Sequence, residues 1–180
     1  AATLLVDTPG DYSVTVTDAN GCENSATITV TESENLEPTI TGELSICAGE
    51  STTLDAGAFA SYVWSTGATE PMIMVSEAGD YTVEVSDGSG CTGEATVSVV
   101  VNDLPEVSIT GSTSICLGSS TTLSAGEGFA SYLWSDNSTA ATLLVDTPGD
   151  YSVTVTDANG CVNSATITVT ESENLEPTIT

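Results

Sequence analysis

Apolar and polar side chains alternate one by one along much of this chain. In 79–87, GDYTVEVSD, residues Tyr81, Val83 and Val85 alternate with Thr82 and Glu84; in 164–170, SATITVT, residues Ala165, Ile167 and Val169 alternate with Thr166, Thr168 and Thr170. A period of two puts each set on one face of an extended segment, and the Thr/Val content fits a half-buried strand. Over 36–103 the pattern predicts strands at 39–41, 51–56, 60–65, 71–76, 79–87 and 91–101, and leaves room for a short one near 45–47. The last two are joined by DGSGC, and by DANGC at 18–22 and 157–161. Asn-Gly in that place predicts a type I′ hairpin, whose two central residues both take positive φ. No stretch has helical periodicity. About seven short strands per unit predict an all-β fold of two facing sheets.

The pattern repeats. Residues 1–41 match 140–180 at every position except Glu23, which faces Val162. A fainter repeat aligns SICAGESTTLDAGAFASYVWS at 45–65 with SICLGSSTTLSAGEGFASYLWS at 114–135, so that Cys47 corresponds to Cys116, Trp64 to Trp134, Tyr81 to Tyr151 and Cys91 to Cys161. The expected organisation alternates two related units: 1–35 as the back half of a type B unit, 36–103 as unit A, 104–174 as unit B, and 175–180 opening another unit A. With no signal segment and a start in mid-unit, the sequence reads as a window on a longer array. Such a unit buries only about 60% of its unfolded surface and needs added staples.

Charge then removes whole classes of function. There are 26 acidic residues and no Lys, Arg or His. Nucleic-acid grooves, phosphate cradles and anionic membrane surfaces all require cationic side chains, so these partners are not expected. Imidazole-based triads and zinc sites with His ligands are excluded with them. No ion pair between side chains can form, so cohesion falls to burial, hydrogen bonds, disulfides and bound cations. At 39% hydrophobic the chain is nonetheless far from a disordered acidic tail. No apolar run reaches the ~20 residues of a membrane span.

Three motifs carry a resemblance. CxGxSxTL from Cys47 and Cys116, SYxWS from Ser61 and Ser131, and GDYxVxVxDxxGC from Gly10, Gly79 and Gly149 resemble the Ig-like and PKD-like repeat modules of Bacteroidetes surface proteins, including gliding-motility adhesins exported by the type IX system. The resemblance implies tandem Ig-like β-sandwiches arranged end to end, outside the cell, in stalks, adhesins or fibres, with copies of the chain or adjacent repeats as partners. Trp64 and Trp134 stand where an Ig sandwich buries its strand-C Trp, and Tyr81 and Tyr151 where a tyrosine corner falls. One feature departs from the pattern: Ala56 and Val83, like Ala125 and Val153, occupy the two places of the usual inter-sheet cysteines.

The five cysteines, Cys22, Cys47, Cys91, Cys116 and Cys161, therefore have another use. C-x-x-C spacing is absent, and an extracellular setting favours disulfides. Two pairings are open. One joins Cys47 to Cys91 and Cys116 to Cys161 within units; Ig topology sets those positions about 20 Å apart, beyond the ~7 Å that a disulfide spans between Cα atoms. The other joins Cys47 of unit A to Cys161 of unit B.

The segments between units concentrate oxygen ligands. Asp103 and Glu106 with Asp80 or Glu77, and Glu34 and Glu37 with Asp7 or Asp11, are the candidate ligands for calcium, which takes six to eight oxygens and can draw them from separate loops; the plain alternative is solvated charge. Catalysis would have to use carboxylates alone, as in glycosidases, yet these acids recur at equivalent turns and strand ends with no long loop to build a cleft, so no enzyme is expected. A carbohydrate- or surface-binding adhesive module is the second functional reading. It needs exposed aromatics, whereas Tyr62, Trp64, Tyr81, Tyr132, Trp134 and Tyr151 fall at core positions.

Overall fold

The computed structural model describes residues 3–33 and 35–172. Among them every regular element is a strand: β1 (Gly10–Thr17), β2 (Glu23–Val30), β3 (Ser45–Cys47), β4 (Thr52–Asp55), β5 (Ser61–Trp64), β6 (Met72–Val75), β7 (Gly79–Ser86), β8 (Thr92–Asn102), β9 (Ser114–Cys116), β10 (Thr121–Ser124), β11 (Ser131–Trp134), β12 (Thr142–Val145), β13 (Gly149–Thr156) and β14 (Val162–Ser172). Each strand predicted within 45–101 is present, within two residues at either end. The 39–41 segment contributes a single bridge, Thr41 to Asp55.

In 104–172 the strands make a four-stranded sheet, order β11-β13-β14-β9, and a two-stranded sheet, β10-β12. β13 and β14 run antiparallel from Gly149↔Val169 to Thr156↔Val162. That register sends Val153, Val155 and Val169 inward, where Ile115 and Trp134 of the same sheet meet Leu123, Leu143 and Val145 of the other. The intervening Thr and Ser residues point away. Full burial of each Val or Leu contributes about 1.5–3 kcal/mol, so the alternation itself assembles the core. Residues 36–103 repeat the plan, with sheet orders β3-β8-β7-β5 and β4-β6. Among the described residues the fold is thus all-β, with Ig-like sandwich topology.

The first strand of each repeat changes sheets. Thr110 bridges Ser124 antiparallel, and Ser114–Cys116 then lie parallel to Thr170–Ser172. Gly111 makes the crossing at φ 142°, where a Cβ would sit 2.6 Å from the Thr122 carbonyl oxygen. Gly42 does the same at φ 148°, 2.4 Å from the Thr53 oxygen. A side chain at either position would push the strand off its neighbour.

By proximity the chain divides into two compact units: Ala1–Ile40 with Ala56–Pro71 and Thr82–Thr96, and Thr41–Asp55 with Met72–Tyr81 and Val97–Thr180. The first holds the β1–β2 hairpin, paired Gly10↔Val30 through Thr17↔Glu23, and the β5–β7 pairing. The second holds the β4–β6 pair, the parallel β3–β8 pairing at Ser45↔Val100 to Cys47↔Asn102, and the whole 104–172 sandwich.

The predicted type I′ turn is not what forms. Asn20 and Asn159 keep negative φ, and the left-handed residues are Gly21 (φ 82°) and Gly160 (φ 86°). The reason is the aspartate before them. One oxygen of Asp157 accepts from the amides of Asn159 and Cys161, both at 2.8 Å, and the Asp157 amide donates to the Cys161 carbonyl at 2.9 Å. The carboxylate takes the place of a backbone acceptor, which needs an ordinary right-handed turn followed by one left-handed residue. Asp18 and Asp87 cap the equivalent turns.

Candidate functional site

Two strand ends place the one disulfide among the described residues. Cys47 closes β3, held by the parallel pairing to β8: the Ala48 amide donates to the Asn102 carbonyl at 2.8 Å, and the Asn102 side-chain amide donates to Ser45 Oγ at 2.9 Å. The Glu50 carboxylate turns back to accept from the Cys47 amide at 3.1 Å. Cys161 follows the Asp157-capped turn and is fully buried. The two are bonded, with Cα atoms 5.5 Å apart and a sequence separation of 114. Of the two pairings left open by the sequence, the one joining repeat A to repeat B is formed. Cys22, Cys91 and Cys116 are free.

The segments leading into each repeat lie against the same hairpin. Asn163, two residues beyond Cys161, donates from its side-chain amide to the Pro105 carbonyl at 2.9 Å. At the equivalent position in repeat A stands Gly93, where a Cβ would lie 2.2 Å from the Leu36 carbonyl oxygen. One repeat uses a long amide to reach its incoming segment; the other removes the side chain to let that segment lie directly on the strand.

The aromatic residues serve the core. Trp64 and Trp134 are each 2% exposed, and their indole N–H groups donate to the carbonyls of Glu70 and Ala140 at 2.9 and 2.8 Å. Tyr81 and Tyr151 make the expected corner, each hydroxyl donating to the carbonyl four residues back, Glu77 at 2.9 Å and Thr147 at 2.8 Å. Tyr12 does so with Thr8 at 2.7 Å. Tyr62 is buried and donates to the Gly57 carbonyl; half-buried Tyr132 donates to that of Gly126. Ala56, Val83, Ala125 and Val153, at the places of the missing inter-sheet cysteines, are all buried.

The candidate calcium ligands Asp7, Asp11, Glu37, Glu77, Asp80, Asp103 and Glu106 are exposed, and Glu34 lies outside the described residues. No three acidic or thiol side chains among the described residues converge where a metal ion could be held. Two of the acids already serve cross-strand hydroxyls: Asp11 accepts from Thr29 and Asp80 from Ser98, both at 2.5 Å, as Asp150 does from Thr168 at 2.6 Å. These pairs went unread in the sequence, although the strand register that alternation implies sets each acid opposite its hydroxyl. Two carboxyls are held below their ordinary value: Asp18 by the amides of Cys22 and then Asn20, and Asp136 by the amide of Ser138.

Neither a protein-family model nor a curated protein matches the chain. Solved structures do. Murine CEACAM1b aligns over 75% of this chain and 100% of its own, at 14% identity and a TM-score of 0.37. A Ca2+-stabilized adhesin that helps an Antarctic bacterium reach out and bind ice aligns over 93% of this chain and 57% of its own, at 19% identity and a TM-score of 0.43. The insect immune protein hemolin aligns over 91% and 56%, at 14% identity and a TM-score of 0.37. The chain therefore spans little more than half the length of the last two. At such identities the likeness is one of fold and carries nothing about ligands.

Proposed function

We propose that this chain is a structural repeat segment of an extracellular filament, stalk or giant cell-surface adhesin, in which the Ig-like units 36–103 and 104–174 supply length and stiffness. The observation that carries the reading is the Cys47–Cys161 bond: it ties one repeat covalently to the next, at positions that every repeat marks with a cysteine. A disulfide at that place also suits an oxidising, extracellular setting. Burial of both tryptophans leaves little for a stacking platform, which favours the mechanical role over the carbohydrate- or surface-binding alternative. The partners are then copies of the chain or adjacent repeats, as in the Bacteroidetes surface modules that the motifs resemble. The calcium expectation belongs to this reading and rests on charge alone: 26 acids with no cationic side chain.

Electron micrographs of the purified chain and of its native assembly test the reading. Beaded, extended rods are the expected result. Collapsed particles with the repeats folded face to face, or turnover of a glycan by the purified chain, would overturn it.

A further inference from the structure

Both repeats close the turn after their buried Trp in the same way. In repeat A the Trp64 amide donates to the Ala68 carbonyl and the Gly67 amide to the Trp64 carbonyl; in repeat B the Trp134 amide donates to Ser138 and the Asn137 amide to Trp134. One residue of each turn is left-handed: Gly67 at φ 85° and Asn137 at φ 69°. Among the described residues Asn137 is the one non-glycine residue with positive φ, a conformation that a Cβ opposes. Repeat A shows that glycine serves this turn, so the turn itself does not call for an amide. Nor does the Asn137 side chain hold the turn together, being exposed and without a hydrogen bond.

What the asparagine does create is a motif. Asn137-Ser138-Thr139 is the one Asn-x-Ser/Thr in the chain, and Thr139 is exposed as well. The turn that presents it joins β11 to β12, each the end strand of its sheet. Both strands, SYLW and TLLV, lack charge and Pro, and they expose Leu133 and Leu144, at 51% and 68%. Bare apolar edges invite pairing with another chain, and proteins blunt them with charge, Pro or a cover. Repeat A places Glu70 and Pro71 directly ahead of β6; repeat B has Ala140 and Ala141 there, and the motif instead.

We propose that Asn137 is the acceptor of an N-linked glycan, which shields the open edges of β11 and β12. The Asn137 side-chain nitrogen attacks the anomeric carbon of a lipid-linked oligosaccharide pyrophosphate. As the C–N bond forms, the C–O bond to phosphate breaks; the amide gives up one proton and the lipid pyrophosphate leaves. A neutral, hydrated cover on this turn keeps other strands from the two edges without adding to the negative charge of the chain. The proposal rests on the extracellular setting of the reading above, since such acceptors are surface loops of secreted proteins.

Glycopeptide mass spectrometry of the native material tests the site. Expected is a glycan on Asn137, released by a peptide N-glycosidase in heavy-oxygen water with a labelled carboxylate left at that position. The chain secreted from a glycosylating eukaryotic host should gain one glycan. Asn137→Gly, which restores the residue that repeat A uses in this turn, and Thr139→Ala should each lose it, and Thr139→Ser should keep it. Gly67→Asn completes Asn-Ala-Thr at the same left-handed position of repeat A and should add a second glycan. Enzymatic deglycosylation, or Asn137→Gly, should raise self-association several-fold by light scattering. Native rods with a bare Asn137 would overturn the proposal while leaving the filament reading in place. A glycan that survives Thr139→Ala would equally overturn the site, and unchanged scattering after deglycosylation would overturn the shielding.

Discussion

Cys47 and Cys161 are bonded to one another while their counterparts, Cys116 and Cys91, are free. Each bonded cysteine has a free equivalent in the other repeat, so the bond is a relation between consecutive repeats rather than a property of one. Replacing Cys47 or Cys161 by Ser, or reducing the chain, should lower its stability by as much as about 5 kcal/mol on the chain-entropy view of a loop of this length. Thermal melts with and without reductant measure this, and thiol titration of the native chain should find the three free cysteines. An unchanged melt would mean that the repeats hold together without the bond.

Gly93→Ala should destabilise the chain by about 1–3 kcal/mol, because the new Cβ meets a backbone oxygen, that of Leu36, which cannot swing aside as a side chain could. The control is Gly49→Ala, where no atom lies within reach of the added Cβ and only the positive φ opposes it. Equal losses in denaturant titrations would remove the close approach as the cause.

Trp134→Phe should cost about 2 kcal/mol or more, since it both shrinks the core and leaves the Ala140 carbonyl without its indole donor. Tyr151→Phe removes the corner bonds to the carbonyl and hydroxyl of Thr147, both solvent-exposed, and should cost about 1 kcal/mol. Chemical denaturation of the two variants ranks them; a reversed order would show that the corner, not the indole, anchors this sandwich.

Asp18 and Asp136 are held below their ordinary value of 3.8 by amides that point at them. A depressed folded value means that the stabilisation is fully present above the unfolded value and is lost as pH falls through the lower, folded one. The turns at 18–22 and 136–138 should therefore stay intact at pH 5 and loosen only in acid below pH 3.8. Amide exchange at Cys22 and Ser138 follows this, and Asp18→Ala should show the acid-form exchange at neutral pH.

Calcium should raise the melting temperature relative to a chelator at constant ionic strength. Two like charges ~5 Å apart at an effective dielectric of ~20 repel by about 3 kcal/mol, and salt screens poorly at that range. Identical melts in calcium and chelator would leave Asp103, Glu106 and the other acids as solvated charge.

The strands were legible because alternation is a direct consequence of pleat geometry: Val83 and Val153 must face inward if Tyr81 and Tyr151 do. The sheet-changing first strand was half legible, as the short run near Cys47, since three residues give little period to read. Turn type was misread because Asn-Gly carries a strong preference for I′ that the neighbouring Asp18 and Asp157 override through their carboxylates. The cysteine pairing could be narrowed by distance but not fixed, because nothing local distinguishes Cys161 from Cys91. The acids were the least legible: crowding along the chain does not say which segments converge in space, and Asp11 and Asp80 turned out to be occupied by hydroxyls.

Tension gives the disulfide a further meaning. A pull applied to the two ends of the chain follows the shortest covalent route, which enters at Cys47 and leaves at Cys161. While β3 and β14 stay in that covalent route, the residues between the two cysteines, with strands β4 to β13, hang outside it. Reduction would put them back into it, releasing roughly 400 Å of extended contour at ~3.5 Å per residue. A single pair of sulfur atoms thus decides whether the stretch between residues 47 and 161 can pay out under strain or rides along as a closed loop.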